Sequence, residues 1–550
     1  MADYPVSQGT WTHHSARRAL FEPTVFDLLV VGGGVIGASI ARDAAARGLT
    51  VALVEQDDFA GGASGKSTKL IHGGIRYLPQ LRFGLIRQGL REQEILRRTA
   101  DHLYNDLDFV IPLLKGGGLL NLPAWMTIGP LKAVGLKAGL TLYDRLGRRS
   151  GEVRHRRLDS EALATFFPEL CLDAPRGGFV YRDAQTDDAR LVMSLLKTAV
   201  VADGAVAASR MKSTGIASDG KSWVVSVAEY DQVGQVRSRA VVSATWASPT
   251  PVANGRSGGE PIRLSKGVHL VYRPEALGLG DHALVIPHTD DGRLLFLIPW
   301  NGLALVGTTD TIYAGDPGRV RPDQADQEYL QDHLGRYLKQ VAEPPLAAFA
   351  GVRALTGGGN ATASASREHR IVEHRPGAFS ISGGKLSSAR VIAAEAVDKV
   401  CSHLGVSVPS PTHRLPLSGA GIGDDLEPRV RSRLERIGLP AGYGARLIAR
   451  YGTHSENLLD LLESEPRLRQ IMDPAPIALA EVVYTVRHEA VATVGDFALR
   501  RTRLAWSSED HGRKWARPIA DLLAEEMGWS ESETGAAVTH FEQELEDQGL

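Results

Sequence analysis

The first well-patterned stretch of the chain alternates between strand and helix periodicity. An apolar run at 27–31 leads into a glycine-rich segment at 32–37, apolar residues then recur at helical spacing, and Gly48 ends that helix. A second apolar strand at 50–54 leads directly to Glu55. This order of strand, tight loop, helix, strand and acidic residue predicts a dinucleotide-binding unit.

The glycines of this unit have distinct steric roles. Gly32 permits the tight turn, Gly34 lets the backbone approach a pyrophosphate, and Gly37 allows the helix to pack closely on the strand. The helix N-terminus offers unpaired N–H groups to the phosphate charge. Glu55 is placed to accept hydrogen bonds from a ribose hydroxyl. We predict that these residues bind a cofactor, together with Gly33.

The middle of the chain predicts interleaved pieces of structure. Residues 85–105 have helical spacing, and 108–114 form a strand pattern that Pro112 interrupts. Runs at 222–230 and 236–244 predict an antiparallel meander whose end returns to the nucleotide-binding sheet.

The two ends of the chain have different patterns. Residues 1–25 are polar and aromatic, and we predict a flexible lead. Residues 406–428 are rich in proline and glycine without periodicity, which predicts a linker. Residues 429–550 predict a separate helical domain, with helices at 440–451, 455–464, 478–499 and 515–527.

Composition narrows the class of protein. A chain of 550 residues with 43% hydrophobic residues is long enough for two or more domains. Its two cysteines, Cys171 and Cys401, give no disulfide framework and no metal cluster, which favours a reducing, cytoplasmic compartment. A net charge of −2 gives no global reason to bind nucleic acid. No apolar run is long enough to span a bilayer, so any membrane contact is expected to be peripheral.

The segment at 61–78 contains many small, hydroxyl and cationic residues. Hydroxyls such as those of Ser64, Ser67 and Thr68 can hydrogen-bond phosphate oxygens or a ring edge. Gly73 and Gly74 let the backbone pass close to a flat ring system. With Glu55, this loop and its run from Lys69 to Leu78 (KLIHGGIRYL) resemble the FAD-dependent glycerol-3-phosphate dehydrogenases, and the resemblance continues along most of the chain.

The resemblance implies an α/β fold with three parts. A Rossmann-type FAD-binding domain, of the glucose-oxidase and D-amino-acid-oxidase-like kind, is interleaved with an antiparallel β substrate-capping domain, and a C-terminal all-α domain follows. The oxidoreductase domain is expected over 26–405, with FAD-binding pieces at about 26–110, 177–260 and 350–405 and a capping piece at about 261–349.

Further cofactor contacts are expected where later segments reach the nucleotide-binding sheet. A strand at 204–206 brings Val206, and the strand ending at 244 brings Ala244. Gly383 and Gly384 precede a helix that begins near Leu386, which gives a second helix N-terminus for a flavin carbonyl or the ribityl chain. Ser64, Ser67, Thr68 and Lys69 complete the predicted cofactor set.

The oxidation of a secondary alcohol by flavin needs a base for the hydroxyl proton, beside the ring. His72 is the first candidate, because it lies in the loop expected near the ring and an imidazole titrates close to neutral pH. His269 is the second candidate. The alternative for a single histidine is a structural role.

A phosphate monoester requires cations to replace its hydration. We expect Arg76, Arg353 and Lys385 to form one anion pocket, with Arg353 and Lys385 also near the reacting atoms. Tyr77 is expected to donate a further hydrogen bond, and Asp310 to orient a neighbour or the flavin edge or to contact the substrate. Each of these residues could alternatively be structural.

Three motifs depart from the family pattern. Residues 243–248 lack the glycine that relatives place near the flavin, Ala354 replaces a proline, and Ala389 replaces an aromatic residue. These departures predict a divergent member.

Three other motifs have structural alternatives. The segment at 125–149 mixes apolar and basic residues; the pattern alone favours a helix packed on its own domain, and the resemblance favours a membrane surface. The Asp187-Asp188 pair is best explained as a helix cap. The trio Arg500, Arg501 and Arg503 is best explained as a solvated face.

The expected function is oxidation of sn-glycerol 3-phosphate to dihydroxyacetone phosphate, by hydride transfer to flavin N5, with electrons passed to a quinone. The resemblance implies a peripheral enzyme at the inner face of the membrane, and a homodimer is compatible with it. We expect no metal cofactor and no nucleic-acid partner. Alternatives are an oxidase of the same family that uses oxygen, an amine-oxidising relative, and a catalytically silent flavoprotein.

Overall fold

The computed structural model of the protein describes residues 9–78, 81–113, 131–147, 151–171, 177–229, 232–245, 263–355 and 369–550. Within these ranges, no helix combines the length and apolarity needed to cross a bilayer.

The described strands form two β-sheets. In chain order they are β1 (Val25–Val31), β2 (Val51–Val54), β3 (Leu70–Ile71), β4 (Asn105–Pro112), β5 (Arg156–Leu158), β6 (Gly178–Gln185), β7 (Val206–Ala208), β8 (Lys212–Ser218), β9 (Trp223–Glu229), β10 (Gln232–Ser243), β11 (Arg263–Tyr272), β12 (Ala283–Ile286), β13 (Leu295–Trp300), β14 (Leu303–Gly307), β15 (Thr311–Tyr313), β16 (Ala347–Leu355), β17 (Arg370–Arg375) and β18 (Ala378–Ser382).

The described helices lie between the strands and make up most of the C-terminal part of the chain. They are α1 (His13–Leu20), α2 (Val35–Ala46), α3 (Phe83–Thr99), α4 (Leu131–Leu146), α5 (Ser160–Phe166), α6 (Asp188–Lys197), α7 (Gln324–Gly335), α8 (Ala389–Leu404), α9 (Leu426–Arg436), α10 (Ala441–Tyr451), α11 (Ser455–Ser464), α12 (Leu479–His488), α13 (Leu504–Ser507), α14 (Arg513–Met527) and α15 (Glu531–Gln548).

The first sheet has the order β17-β18-β10-β1-β2-β7, and β8 and β9 extend it from β10. The pairs β1 with β2, β1 with β10, β2 with β7 and β10 with β18 are all parallel. The carboxyl ends of these five strands therefore share one edge, which is where an open α/β sheet binds its ligand. Helix α2 packs against α6 and α8, and nearly all of its apolar and small residues are buried.

The second sheet has the order β15-β11-β14-β13-β12-β4-β6-β3, with β16 paired to β11 and β5 to β6. Most of its pairs are antiparallel, as predicted for a capping sheet; β4 and β12 are parallel. Its strands come from before, within and after the 177–260 segment. The chain therefore passes several times between the two sheets.

This exchange corrects the predicted division of the domain. Strands β3, β4 and β6 belong to the second sheet, although the pieces 26–110 and 177–260 were assigned to cofactor binding. Strand β16 also extends the second sheet to Leu355, beyond the predicted limit at 349. Periodicity indicates a strand but does not identify its partner strand, because pairing is a long-range property.

Two predicted helices are shorter than their patterns. The helix predicted over 85–105 is α3 and ends at Thr99. The helix predicted over 478–499 is α12, which ends at His488, because Ala490 adopts a left-handed backbone with φ +50°. A separate π-helical turn follows at Asp496–Arg501.

The prediction of a flexible lead is wrong for residues 9–25, and residues 1–8 lie outside the described part of the chain. Thr12 and Ser15 form a capping box that begins α1. The Trp11 side chain is 1% exposed, and its indole N–H donates to the carbonyl of Ala207 in β7 at 3.1 Å. One buried tryptophan therefore fixes this segment to the first sheet.

The predicted linker at 406–428 is packed on the first domain. Thr412 Oγ1 donates to Asp43 Oδ1 at 3.1 Å, and Arg42 donates to the carbonyl of Leu415 at 2.6 Å. Leu417 is 4% exposed. These contacts with α2 hold the segment in place, although its composition is that of a linker.

The apolar and basic segment at 125–149 contains α4, and its residues 125–130 and 148–149 lie outside the described ranges. Leu136, Leu140 and Tyr143 are buried in the core of the second sheet. Val134 lies on the opposite face and is 62% exposed. Helix α4 therefore packs on its own domain, as the pattern alone favoured.

Candidate functional site

The glycine loop after β1 forms a narrow cradle, defined here as Gly32–Gly37. Gly32 has φ +112°, a left-handed conformation that favours glycine. A Cβ on Gly37 would lie 1.9 Å from the carbonyl oxygen of Gly32, so only glycine allows this helix to begin so close to the strand. A Cβ on Gly34 would lie 2.9 Å from Ser64 Oγ. Ser64 Oγ accepts a hydrogen bond from the Val35 N–H at 2.9 Å, which joins the 61–78 loop to the start of α2.

Glu55 lies at the end of β2 and faces the cradle. Its carboxylate accepts hydrogen bonds from the N–H of Gly33 at 2.6 Å and of Asp57 at 3.0 Å. Burial raises the pKa of Glu55 to about 7, although these two hydrogen bonds act in the opposite direction. The carboxylate is therefore close to the cradle backbone, at the position expected for a ribose contact.

The other strands of the parallel sheet add residues at the same edge. Ala244 follows β10, and its N–H donates to the carbonyl of Val31 at 2.8 Å. Val206 is paired with Ala52, two residues before the edge, whereas the carbonyl of Ala208 accepts the N–H of Glu55 at 3.0 Å. Ala208, which is paired with Val54, is therefore the residue of β7 that lies next to Glu55 at the edge; the sequence did not single it out, because strand register decides it.

The departure at 243–248 lies partly in the described structure. A Cβ on Gly32 would lie 3.2 Å from the backbone of Ala244 and 3.0 Å from the methyl group of Thr245, so this segment sits beside the first glycine of the cradle. Residues 246–248, including the position of the missing glycine, lie outside the described ranges.

A second helix start lies next to the cradle. Gly383 and Gly384 follow β18 with φ +73° and +98°, and a 3₁₀ turn at Leu386–Ser388 leads into α8. A Cβ on Gly384 would lie 2.7 Å from Ile392 Cδ1 and 3.5 Å from Ile36 Cδ1. The structure therefore brings the Gly383–Leu386 turn over the first turn of α2. A cavity at this point is lined by Val35, Ile71, Leu386 and Ala389.

Two predicted loop residues, Ser67 and Lys69, direct their side chains toward Asp188. Ser67 Oγ donates to Asp188 at 2.7 Å, and Lys69 Nζ donates to both oxygens of Asp188 at 2.7 Å and to the carbonyl of Gly65 at 2.9 Å. The Lys69 side chain is fully buried. The ammonium group therefore supports the loop from inside the protein, which corrects the expectation of a cofactor contact through this side chain.

The ammonium of Lys69 lies inside a group of three aromatic rings. Trp300, Phe349 and Trp506 have their ring centroids 5.2–5.3 Å from Lys69 Nζ. Burial lowers the pKa of Lys69 to about 8, with the neighbouring Arg503 acting in the same direction and Asp188 opposing it. Trp506 comes from the C-terminal domain and stacks on Phe349 at 4.3 Å with an interplanar angle of 4°.

His269 lies on the other face of Phe349. The two rings are 4.9 Å apart and nearly parallel, because the residues are paired across β11 and β16. His269 Nε2 shares a hydrogen bond with Thr68 Oγ1 at 3.0 Å, and Nδ1 has no hydrogen-bond partner among the described residues. Burial, with the charges of Arg353 and Lys69, holds the pKa of His269 well below its usual value. The side chain is 1% exposed, and the imidazole is therefore neutral at pH 7.

His72 is in a different environment. It follows β3 and is half-buried, in a loop whose next two residues are glycine. The first candidate base is thus the more accessible of the two histidines.

The contacts of the predicted cations fall into two groups. Arg353 lies over Gly267 and donates to Thr308 Oγ1 at 2.9 Å and to the carbonyl of Thr309 at 3.2 Å; its guanidinium is 3.8 Å from Asp310. Ser265 Oγ donates to the buried Asp310. Asp310 therefore orients Arg353 and Ser265, which favours the neighbour-orienting role over a direct substrate contact.

The second group joins Lys385 and Tyr77. Lys385 Nζ lies 4.3 Å from the centroid of the Tyr77 ring, and this ring lies against Gly74. Arg76 lies on the same 3₁₀ turn, Ile75–Tyr77, and its side chain is outside the described structure. The structure therefore brings the 72–77 segment next to the Gly383–Leu386 turn.

Asp187 and Asp188 have different roles. Asp187 Oδ1 accepts the N–H groups of Ala189 and Arg190 at 3.1 Å, which is the predicted helix cap. Asp188 is buried and is the shared acceptor of Ser67, Lys69 and Arg503. The described residues contain no group of three or more histidine, cysteine or acidic side chains able to hold a metal ion.

Known proteins match the chain along nearly its whole length. Residues 27–398 match the family of FAD dependent oxidoreductases, and residues 410–534 match the C-terminal domain of alpha-glycerophosphate oxidase. Glycerol-3-phosphate dehydrogenase 2 of Mycobacterium tuberculosis (strain ATCC 25618 / H37Rv) is 33% identical over 543 residues, which cover 96% of this chain and 89% of the relative. The aerobic glycerol-3-phosphate dehydrogenase of Staphylococcus haemolyticus is 31% identical over 530 residues, with 92% of each chain covered.

The chain belongs to the FAD-dependent glycerol-3-phosphate dehydrogenase family. The X-ray structure of the glycerol-3-phosphate dehydrogenase from Bacillus halodurans, complexed with FAD, matches the fold with a TM-score of 0.78 and 28% identity over 97% of both chains. The predicted family, fold class and FAD cofactor are confirmed. The glycine cradle at the start of α2 fits the diphosphate of this cofactor, because a helix N-terminus preceded by glycines lets an anion approach the backbone closely.

The C-terminal domain contacts the first domain through a group of buried charged residues, which we call the C-terminal junction. It consists of Asp58, Asp188, Arg500, Arg501 and Arg503. Arg501 donates to Asp58 at 2.7 and 2.9 Å, and Arg500 donates to the same carboxylate at 2.5 Å. Arg503 donates to Asp188 and to the carbonyl of Gly65, both at 3.0 Å. The three arginines are at most 9% exposed, so the prediction of a solvated face is wrong. Sequence reasoning missed this junction because the acids and the arginines are far apart in the chain.

Proposed function

We propose that the protein oxidises sn-glycerol 3-phosphate to dihydroxyacetone phosphate with FAD and passes the electrons to a quinone. The observation that carries the proposal is the meeting of two helix starts, at the cradle and at the Gly383–Leu386 turn that contains Lys385, beside the segment that contains His72 and Tyr77. The names of the relatives supply the substrate. A flavin site with cations at one side suits an alcohol that carries a phosphate.

The cofactor would be held along the carboxyl edge of the parallel sheet. We assign the diphosphate to Gly32, Gly33, Gly34, Gly37 and Ser64, and the ribose to Glu55. Further cofactor contacts are proposed for Ser67, Thr68, Val206, Ala244, Gly383, Gly384 and Leu386. When bound, FAD supplies a hydride acceptor at flavin N5.

We propose that His72 accepts the hydroxyl proton of the substrate. It is half-buried and lies in the loop next to the Gly383–Leu386 turn, whereas His269 is almost fully buried and uses Nε2 in its hydrogen bond with Thr68. A base has to reach the substrate within hydrogen-bond distance, which favours the more accessible imidazole. His269 remains the second candidate, and its neutral state at pH 7 is compatible with accepting a proton at Nδ1.

The phosphate would be bound by Lys385, Arg353 and Arg76, with Tyr77 as a hydrogen-bond donor. Lys385 and Tyr77 are already in contact, so the ammonium is held over the Tyr77 ring before substrate arrives. Arg353 keeps its orientation through Thr308 and Thr309. Arg353 and Lys385 also place positive charge close to the reacting carbon, where a developing alkoxide is stabilised.

We propose peripheral contact with the inner face of the cell membrane, where a quinone acceptor resides, and leave a homodimer as compatible with this arrangement. The exposed face of α4 supports the proposal, since Val134 and Lys137 combine an apolar side chain with a positive charge. An oxidase that uses oxygen is a second candidate, favoured by the match of residues 410–534 to an oxidase domain.

The test is anaerobic mixing of the FAD-loaded protein with substrate while the flavin absorbance is followed. We expect bleaching by glycerol 3-phosphate, with little bleaching by glycerol or by an N-alkyl amino acid. Failure of glycerol 3-phosphate to reduce the flavin would overturn the proposed reaction, and reduction by the amino acid would favour the amine-oxidising alternative.

The acceptor is tested by a second measurement on the same protein. With glycerol 3-phosphate and air, one hydrogen peroxide per turnover would favour the oxidase. Rapid reoxidation by a soluble quinone analogue, with little peroxide formed in air, is the result expected for a dehydrogenase.

A further inference from the structure

The loop that carries His72 is held from behind by a buried carboxylate, Asp183. This residue lies on β6, opposite Leu107 of β4, and is 1% exposed. Its Oδ1 accepts the N–H of Gly73, the residue after His72, at 3.3 Å. The same carboxylate accepts the Tyr143 hydroxyl at 2.8 and 3.0 Å and the Gln93 side-chain amide at 3.1 Å. A buried carboxylate is stable when several donors satisfy it, and here these donors come from α3, α4 and the loop.

The loop backbone is confined by close packing as well as by hydrogen bonds. A Cβ on Gly73 would lie 2.4 Å from the Tyr143 hydroxyl and 2.5 Å from Leu90 Cδ2. A Cβ on Gly89 would lie 3.1 Å from the Cα of Gly73, so α3 crosses the loop at van der Waals distance. Gln93 also donates to the carbonyl of Ile71 at 2.8 Å. The residues on both sides of His72 are therefore fixed, while its own side chain is half-buried.

These contacts give helix α4 a role that its apolar and basic pattern does not suggest. Tyr143 is fully buried and its ring packs edge-to-face on Tyr181 at 6.2 Å, so the hydroxyl has a fixed direction toward Asp183. A shift of the loop by about 1 Å would move His72 out of hydrogen-bond reach of a substrate hydroxyl, and displacements of that size cost up to ~100-fold in rate.

We propose that Tyr143 and Asp183 are positioning residues for His72: through Gly73, they fix the backbone that presents the imidazole to the substrate. The proposal rests on the proposed function, in which His72 accepts the hydroxyl proton.

The test compares Tyr143→Phe with the matched control Tyr337→Phe. Tyr337 is also buried and also donates one hydrogen bond, to the carbonyl of His288 at 3.1 Å, but it lies in a separate core. Both variants are examined as FAD-loaded proteins by hydrogen exchange of the 70–76 segment and by the rate of anaerobic flavin reduction. We expect Tyr143→Phe to lose protection in this segment and to reduce flavin about tenfold more slowly, with KM changed less than about twofold. The control should change neither quantity.

A double-mutant cycle separates positioning from a general structural effect. In a His72→Asn background, Tyr143→Phe should slow flavin reduction by less than about twofold, because its target is already absent. A full tenfold effect in that background would overturn the proposal, as would unchanged exchange in the 70–76 segment of Tyr143→Phe. If Tyr143→Phe does not fold, Gln93→Leu removes a different donor from the same carboxylate and is held to the same outcomes.

The two proposals fail in different ways. Hydrogen exchange does not require turnover, so it reports on the loop even if glycerol 3-phosphate is not the substrate. Lost protection together with a wild-type protein that glycerol 3-phosphate does not reduce would overturn the proposed reaction alone. A slow His72→Asn variant together with a Tyr143→Phe variant as fast as its control would overturn the positioning role alone.

Discussion

The glycine cradle and the C-terminal junction contact the same stretch of chain after Glu55, but they are built in opposite ways. The cradle comes from one continuous segment, and its shape depends on the backbone and on the absence of side chains. The junction joins Asp58 to arginines 442 and 443 residues later, and it depends on buried charges. One region tolerates no added atom, and the other tolerates no lost charge.

Because of this difference, substitutions are expected to disrupt the two regions for different physical reasons. In the cradle, a substitution fails because of a collision with a fixed neighbour. In the junction, a substitution fails because it leaves a buried carboxylate without its partners. The following predictions test the comparison, beginning with the largest expected effect.

The cradle is tested by Gly37→Ala. The new Cβ would lie 1.9 Å from the carbonyl oxygen of Gly32, so helix α2 has to move away from β1. We expect loss of bound FAD and a decrease of about 4 kcal/mol in the free energy of unfolding. The control is Gly84→Ala in α3, where a Cβ meets nothing within 4 Å. It should be neutral or slightly stabilising, since alanine is the better helix former. Retention of FAD with wild-type affinity by Gly37→Ala would contradict the steric account.

The junction is tested by Arg501→Met, which preserves much of the side-chain volume. Arg501 is fully buried and donates twice to Asp58. After the substitution, Asp58 would keep Arg500 as its charged partner in the junction. We expect the free energy of unfolding to fall by about 3 kcal/mol. The exposed pair of Arg431 with Glu427 is the control, and Arg431→Met should change stability by less than about 0.5 kcal/mol. Equal effects of the two substitutions in urea unfolding would show that the junction is not a buried ion cluster.

His269 lies outside both regions, between Thr68 and the Phe349 ring, and gives the smallest effect. Its folded-state pKa is well below the usual value, so below about pH 6.5 the unfolded chain binds a proton that the folded protein does not bind. Stability is therefore present above that pH and is lost by about 1.4 kcal/mol per pH unit below it. His269→Gln lacks this titration, so the stability difference from wild type should shrink between pH 6.5 and pH 5.

The measurement for this prediction is urea unfolding at pH 8, 6.5 and 5. His14→Gln, at an exposed position of α1, serves as the control for general effects of replacing a histidine. A stability difference between His269→Gln and wild type that stays constant over this pH range would mean that His269 binds its proton as readily in the folded protein as in the unfolded chain.

The sequence predicted the features that depend on neighbours within about 30 residues. The β1-α2-β2 unit and the meander that ends in β10 follow from periodicity and glycine spacing, because each is a local pattern, whereas the capping sheet was implied by the family resemblance. The helices α10, α11 and α14 were also placed close to their observed limits.

The features that the sequence did not predict depend on distant partners. The assignment of β3, β4 and β6 to the second sheet follows from strand pairing, and the burial of Arg500, Arg501 and Arg503 follows from acids elsewhere in the chain. Asp183 carried no signal, since a single acid in a strand pattern does not reveal which loop it holds. Lys69 was predicted to contact the cofactor, but its side chain points into the protein interior, because its direction depends on Asp188 and on Trp506.

The separation between Asp58 and Arg501 also determines when the protein can be completed during its synthesis. A ribosome adds about 5–20 residues per second, so roughly 20–90 seconds pass between the two residues of this pair. During that time Asp58 and Asp188 lack their arginine partners from the C-terminal domain, and the loop beside the cradle lacks its contact with Trp506. The first domain is therefore finished only when the last fifth of the chain has emerged, and a truncated product should be a target for chaperones and proteases.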